Sequence, residues 1–350
     1  MRVVVVGATG NCGSSLVRLL AAEPRIDSVL GLTRRRPRLE LPKTEWAAAD
    51  VAKDDLGPLF RSADAVVHLA WLIQPSRDEA TLRRVNVDGS ARVFQAVERA
   101  EVPALVYASS VGAYSPGPKD RRVDESWPVG GVETSFYARH KAEVERRLDD
   151  LESAVPELRV ARLRPGLIFK RTAATGIRRL FAGPFVPGWA LRPGLVPFVP
   201  DVPGLCFQAV HADDVAKAYL EAIARDVRGA FNVAAEPPLD AAALGRLLRA
   251  RPIRVGRPVA HAAVSASWRL RLQPTPPGWL DTGLAVPLMD CGRARAELGW
   301  EPRRSAEQAL GELLDGLRSG AGDETPPLAP RTGGPLRLRE LATGVGGRDG

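Results

Sequence analysis

Residues 2 to 22 read RVVVVGATGNCGSSLVRLLAA, and the reading of that stretch decides the fold. RVVVV is dominated by β-branched side chains and suits a buried strand, whereas SSLVRLLAA at 14 to 22 has the apolar periodicity of a helix. Between them lies GATGNCG, with Gly7, Gly10 and Gly13 three residues apart. The spacing differs from the G-x-G-x-x-G pattern, but the physics carries over: glycines permit a tight turn and a close backbone approach, and the helix N-terminus faces a pyrophosphate. Gly7, Thr9, Gly10, Asn11, Cys12 and Gly13 are therefore candidate cofactor-binding residues. Cys12 reads either as a thiol whose pKa the helix end lowers or as a small side chain that fits a turn, and the second reading is preferred.

Further along, strand-like runs at 28 to 33, 44 to 50, 64 to 71, 104 to 110 and 158 to 164 alternate with amphipathic segments such as 85 to 100 and 137 to 151. Near-continuous apolar strands separated by helices predict a parallel sheet covered on both faces, a doubly wound α/β fold. Residues 1 to 169 are expected to form the dinucleotide-binding domain, completed by a helix and strand within 208 to 235. Asp213 or Asp214 is the expected cap of that helix. A substrate-binding region is expected at 170 to 207 and 236 to 318, and a disordered tail at 319 to 350. Residues 180 to 207 are rich in proline and glycine and carry Phe181, Phe185, Trp189, Phe198 and Phe207. They read either as an apolar loop on the core or as a lid over a pocket.

The net charge of +8 raises nucleic acid as a partner, but the arginines read as scattered, and no nucleic-acid-binding module pattern is present. No nucleic-acid partner is expected. Three cysteines without metal-like spacing and four histidines without clustering predict neither a disulfide framework nor a metal site. No run approaches the roughly 18 apolar residues of a membrane span, and the first strand starts at Met1, so a cytoplasmic protein without membrane partners is expected.

At the end of the second strand, where an acidic residue would accept from a free ribose 2′-hydroxyl, stand Thr33, Arg34, Arg35 and Arg36. An arginine there pairs with a 2′-phosphate, which favours NADP over NAD, with Arg34 as the candidate. The alternative is a solvated basic turn. Asp50, with Val51, is placed to hydrogen-bond the adenine amine or, equally, to cap a helix that starts near Asp54.

GATGNCG, DV at 50 to 51, HLAW at 68 to 71, VNVDGS at 85 to 90, YASSVGAY at 107 to 114, YARHK at 137 to 141, LRPGLIF at 163 to 169, VHADDVA at 210 to 216 and ELGWEP at 297 to 302 occur in this order. Together they resemble the extended short-chain dehydrogenase/reductases, also called the NAD-dependent epimerase/dehydratase family, over nearly the whole chain to residue 318. The resemblance implies that Tyr137 is the general acid/base, that Lys141 lowers its pKa and binds the nicotinamide ribose, and that Ser110, rather than Ser109, orients the substrate oxygen. A phenol titrates near ~10 and needs neighbouring positive charge to serve at neutral pH. Leu69, Ala70, Asn86 and Pro165 are implied along the cofactor, Phe169 near the nicotinamide, and His211 in an architectural role.

Some positions depart from the family pattern. Val111 and Gly112 follow Ser110 where dehydratases of the family carry an Asp-Glu pair, which argues against removal of water. His140 precedes Lys141 where many relatives have serine, and Lys170-Arg171 replaces a usual Gly-Pro. The expected function is reversible hydride transfer between a nicotinamide and a carbonyl or carbinol. Its alternatives are a nucleotide-sugar epimerase with tightly bound NAD and a non-catalytic NADP-binding regulator. The expected substrate is a nucleotide sugar or a hydrophobic ketone, and a homodimer is a further possibility.

Overall fold

A computed structural model describes residues 1–330 and 338–347, without the side chains of residues 189 and 190. Residues 331–337 and 348–350 of the expected tail, and the Trp189 side chain, lie outside the described residues.

The strands β1 (Arg2–Val6), β2 (Ser28–Thr33), β3 (Thr44–Ala48), β4 (Ala65–His68), β5 (Ala104–Ala108), β6 (Arg159–Pro165) and β7 (Gly229–Val233) form a seven-stranded parallel sheet in the order β7-β6-β5-β4-β1-β2-β3. This is the doubly wound α/β arrangement. Strand order reverses between β1 and β4, so a crevice opens at their carboxyl ends. Val3 and Val5 face one apolar layer while Val4 and Val6 face the other, the period-two alternation of a strand covered on both sides. Helices α1 (Asn11–Ala22) and α4 (Ala212–Ala224) fill the first layer; α2 (Gly89–Arg99) and α3 (Phe136–Ala154) fill the second.

Several expected boundaries shift. β4 stops at His68 rather than running to 71, because the chain swings out at Leu69 into the crevice. The helix expected over 85 to 100 starts earlier, as a regular turn at Glu79–Arg83, passes through a π-turn at Arg84–Asp88 and continues regularly from Gly89. α4 is capped by His211, whose Nδ1 accepts from the Asp213 N–H, not by Asp213 or Asp214. Those two carboxylates are engaged elsewhere, Asp213 by the Ser15 hydroxyl and Asp214 by the Arg304 N–H.

A smaller sheet of strands Leu167–Phe169, Phe207–His211 and Ala235–Leu239 packs on α7 (Ala306–Ser319) around a third apolar cluster. Here α5 denotes Arg257–Arg269 and α6 denotes Gly278–Ala285. α7 opens with the expected Ser305/Gln308 capping box. Gly299, at φ 59°, ends the helix before it, as expected.

The segment expected as a disordered tail is described in part. Asp323 takes a bidentate bond from Arg18, Leu328 is buried, and Glu340 takes one from the buried Arg178. Charged partners on the body hold a segment whose own apolar content is low.

Candidate active site

The glycine turn fits a cradle that no larger side chain could line. A Cβ on Gly13 would lie 2.3 Å from the Gly7 carbonyl oxygen, and one on Gly7 would lie 2.6 Å from the Ala70 nitrogen. Gly7 also holds φ at +87°. The turn is thus pressed against Leu69 and Ala70, the residues that leave β4 at the strand-order reversal. Gly10 precedes α1 without a side-chain cap, so the first amides of the helix keep their donors open. Asn11 donates through Nδ2 to the Ile168 carbonyl, 2.9 Å, while its buried Oδ1 has no partner among the described residues. The glycine turn and the open amides of α1, rather than the acceptor Asn11 Oδ1, fit a dinucleotide pyrophosphate. The Cys12 thiol does not follow the reactive reading: burial pushes its pKa up to about 12, only partly opposed by Lys170. Lys170 itself is buried and donates to the Ser14 hydroxyl at 2.7 Å, tying the strand after β6 to α1.

Along the crevice, Thr9 and Val51 are buried, and Arg34 is exposed at the end of β2. Asp50 accepts the Ala52 N–H, 3.0 Å, within a turn; the helix expected from near Asp54 begins only at Gly57, with Leu56 at its cap, so Asp50 does not cap it. Asn86 clamps the loop that follows Ala70: its Oδ1 accepts from the Leu72 N–H at 2.7 Å and its Nδ2 donates to the Leu72 carbonyl at 2.6 Å. It therefore positions the crevice wall from inside the π-turn, a feature frequent at functional sites. Pro165 is buried at the carboxyl end of β6.

Ser110 stands just past β5 and accepts the Gly112 N–H on its Oγ at 3.0 Å. Tyr137, in the first turn of α3, lies across Gly112, where a Cβ would come within 2.9 Å of the Tyr137 ring. Any acid at 112 would displace the tyrosine. Burial pushes the Tyr137 phenol above its ordinary value, and a hydrogen bond with Ser110 pulls it back. One turn on, Lys141 is buried; its Nζ donates to the Ala108 carbonyl at 2.5 Å and to the Tyr107 hydroxyl at 3.3 Å, and it lies 3.5 Å from the centroid of Trp71. Among the described residues Lys141 does not donate to Tyr137. The two meet through Trp71, whose ring is 5.9 Å from that of Tyr137. Burial holds the Lys141 ammonium well below its ordinary range, with Glu145 acting in the opposite sense.

Three aromatic residues enclose this point. Trp71 lies on one side; Trp279, from α6, is tilted over Tyr137 with ring centroids 4.7 Å apart, and Phe181 meets Trp279 edge-on at 5.1 Å. The sequence singled out Phe181 but missed Trp279, whose only signal is an aromatic in a proline-rich stretch, PTPPGWL at 274 to 280. Among the described residues no cluster of His, Cys, Asp or Glu is suited to a metal.

The model of the family described as "NAD dependent epimerase/dehydratase family" matches residues 3–178. An uncharacterised protein of Mycobacterium tuberculosis is 27% identical over 330 residues, 92% of this chain, but the chain spans only 31% of that relative's length. The sterol-4-alpha-carboxylate 3-dehydrogenase of Schizosaccharomyces pombe is 37% identical over 99 residues, covering 28% of this chain and 27% of the relative. Among solved structures, a Thermus thermophilus UDP-glucose 4-epimerase complexed with NAD has the same fold, with a TM-score of 0.67 at 23% identity over 91% of this chain and 99% of the other. The dTDP-glucose 4,6-dehydratase DesIV from Streptomyces venezuelae, with NAD bound, gives 0.66 at 21% identity, covering 91% and 97%. With its Rossmann-type sheet and its matching segment, the chain belongs to the NAD-dependent epimerase/dehydratase family, of the extended short-chain dehydrogenase/reductase type.

Proposed function

We propose that this protein is an NAD(P)-dependent oxidoreductase that interconverts a carbonyl and an alcohol, with Ser110, Tyr137 and Lys141 as its catalytic residues. The observation that carries the reading is their convergence: Tyr137 and Lys141 both lie against Trp71, Ser110 hydrogen-bonds Tyr137, and Trp71 follows the Ala70 on which the glycine turn presses. A bound nicotinamide supplies or accepts the hydride at its C4. The hydroxyls of Ser110 and Tyr137 hold the substrate oxygen, and the Tyr137 O–H delivers the proton that oxygen needs when its carbon is reduced. In the reverse direction the same phenolate takes the proton from the alcohol. Lys141, whose Nζ reaches the Ala108 carbonyl and the face of Trp71 rather than the phenol, favours the phenolate through its nearby positive charge, and the proton the phenol gives up is replaced from water. The open amides of α1 and the Gly7/Gly13 turn hold the pyrophosphate.

NADP is the proposed cofactor, with Arg34 on the 2′-phosphate. Residues 170–207 and 236–318 are proposed as the substrate-binding region. Trp279, Phe181 and Trp71 favour a hydrophobic ketone over a sugar. The epimerase reading draws support from structural neighbours with NAD bound, and it requires a dinucleotide that stays through turnover.

Two binding measurements on purified protein test the assignment. Denaturation is expected to release no NAD, and Arg34→Ala is expected to weaken NADPH at least about tenfold while leaving NADH unchanged. Stoichiometric NAD in the supernatant would establish the epimerase reading instead, and an unchanged NADPH/NADH ratio would remove Arg34 from the 2′-phosphate.

A further inference from the structure

The described surface is uneven in charge. From residue 241 to 280 the chain carries seven arginines, 246, 249, 251, 254, 257, 269 and 271, with no lysine, aspartate or glutamate. The reading of scattered arginines is corrected here. Asp240 and Asp281 flank the segment but are engaged, Asp240 in capping the helix that follows it and Asp281 in accepting the Thr134 hydroxyl. Arg246 pairs with Glu307, and Asp201 stands opposite Arg254 in a parallel strand pair. Arg249, Arg251, Arg269 and Arg271 are exposed and form no ion pair among the described residues.

The same segment leaves large apolar side chains in water. In the parallel pair of strands Phe198–Asp201 and Arg251–Arg254, Phe198 lies beside Arg251 and Pro200 beside Ile253, so these four share one outward face. Phe198 is 53% exposed and Ile253 44%, whereas Val199 between them turns inward. α5 follows directly and buries none of its 13 residues, although a helix of a globular protein normally buries one stripe. Val259 on it, and Leu270 and Leu272 just beyond it, are 63%, 69% and 52% exposed. The segment that follows α5 packs beside the mouth of the site, since the buried Pro274 abuts the buried Gly183, two residues from the exposed Phe185 and from the Phe181 that walls Trp279.

We propose that this arginine-rich, apolar face docks the protein onto an anionic lipid surface, beside the aromatic mouth of the site. Charge complementarity selects the occupant. Arginines interspersed with exposed Phe, Ile, Val and Leu, four of those arginines without an ion pair among the described residues, are what interfacial attachment requires: cations for anionic headgroups and apolar side chains for the boundary beneath them. Among the described residues no helix is long and apolar enough to cross a membrane, so the attachment is peripheral. A second copy of the chain would bring two strongly positive faces together, which repulsion opposes. Docking here would present a hydrophobic substrate dissolved in the bilayer to Phe181 and Trp279. The docking itself does not depend on the proposed chemistry at Tyr137.

Cosedimentation of the full chain with phosphatidylcholine/phosphatidylserine vesicles, compared with pure phosphatidylcholine vesicles, tests the proposal. Binding is expected only to the anionic vesicles and to weaken with salt. The combined variant Arg249→Gln, Arg251→Gln, Arg269→Gln is expected to lower it on the order of 100-fold, at about fivefold per arginine. Leu270→Ser with Leu272→Ser is expected to remove the part that survives at high salt. Thermal unfolding is measured on each variant, and equal melting temperatures show that the loss is one of docking. No binding to anionic vesicles at low salt, binding unaltered by the arginine variant, or a dimer in solution that the leucine variant dissociates would each overturn the proposal. Cofactor binding is not read in this assay, so its failure is distinct from failure of the oxidoreductase reading.

Discussion

At position 145 a carboxylate is nearly sealed from solvent, one helical turn beyond Lys141. Arg164 grips it through Nε at 2.8 Å and Nη2 at 2.9 Å, Arg162 reaches it at 3.1 Å, and the Ser109 hydroxyl donates to it. Burial pushes the Glu145 pKa up, but the bonds and charges of Arg164 and Arg162 outweigh burial and bring it from 4.5 down to about 2. Because the folded pKa lies below the unfolded one, this stabilisation is complete above about pH 4.5 and is lost as pH falls toward about 2. Glu145→Gln would leave the buried Arg164 guanidinium without its counter-ion, while Arg162 keeps Asp149 and Glu152, and is expected to cost roughly 3–5 kcal/mol in urea unfolding at pH 7. It should also flatten the acid limb of the stability curve. A loss below ~1 kcal/mol would show that the network is dispensable. In the sequence, EVERRLDD around Glu145 looks like an ordinary solvated helix face. The available signal was the pair Arg162 and Arg164 on a strand expected between two helical layers, where buried cations require an acid. Ser110, Tyr137 and Lys141 were legible as motif positions, but the route of Lys141 to Ala108 and Trp71 was not, because helical spacing fixes a shared face and not where a long side chain ends.

Among the elements, the β1–turn–α1 unit sets the tolerance of the site. Gly10 and Gly13 look equivalent in the sequence but differ in the structure. A Cβ on Gly10 would meet the Gly7 oxygen at an ordinary 3.5 Å, whereas one on Gly13 would press to 2.3 Å. Gly13→Ala is therefore expected to destabilise the protein by about 1–3 kcal/mol and to weaken dinucleotide binding, with Gly10→Ala much milder in stability. Melting temperature together with NADPH titration checks both; equal melting temperatures would contradict the close approach. Strand-turn-helix order and the α7 capping box were readable because they depend on local residue chemistry. Boundaries set by tertiary contact were less readable, such as the early end of β4 at the crevice and the π-turn at Arg84–Asp88 that brings Asn86 onto Leu72.

For the whole molecule, alternation of apolar strands and helices was enough to foresee a parallel sheet with layers on both faces, because that pattern has few other ways to bury itself. What the pattern could not show is the convergence of distant segments: Trp279 and Phe181 reach Tyr137 from separate parts of the chain, and the tail is held through Arg18 and Arg178. The account rests on a phenol at that convergence moving a proton while hydride moves on a nicotinamide. Its most direct test is NADPH-dependent turnover of hydrophobic ketones by Tyr137→Phe, with NADPH affinity measured on the same preparation. The account predicts unchanged affinity and turnover lowered at least ~100-fold. Turnover equal to that of the unaltered protein at equal cofactor saturation would contradict it.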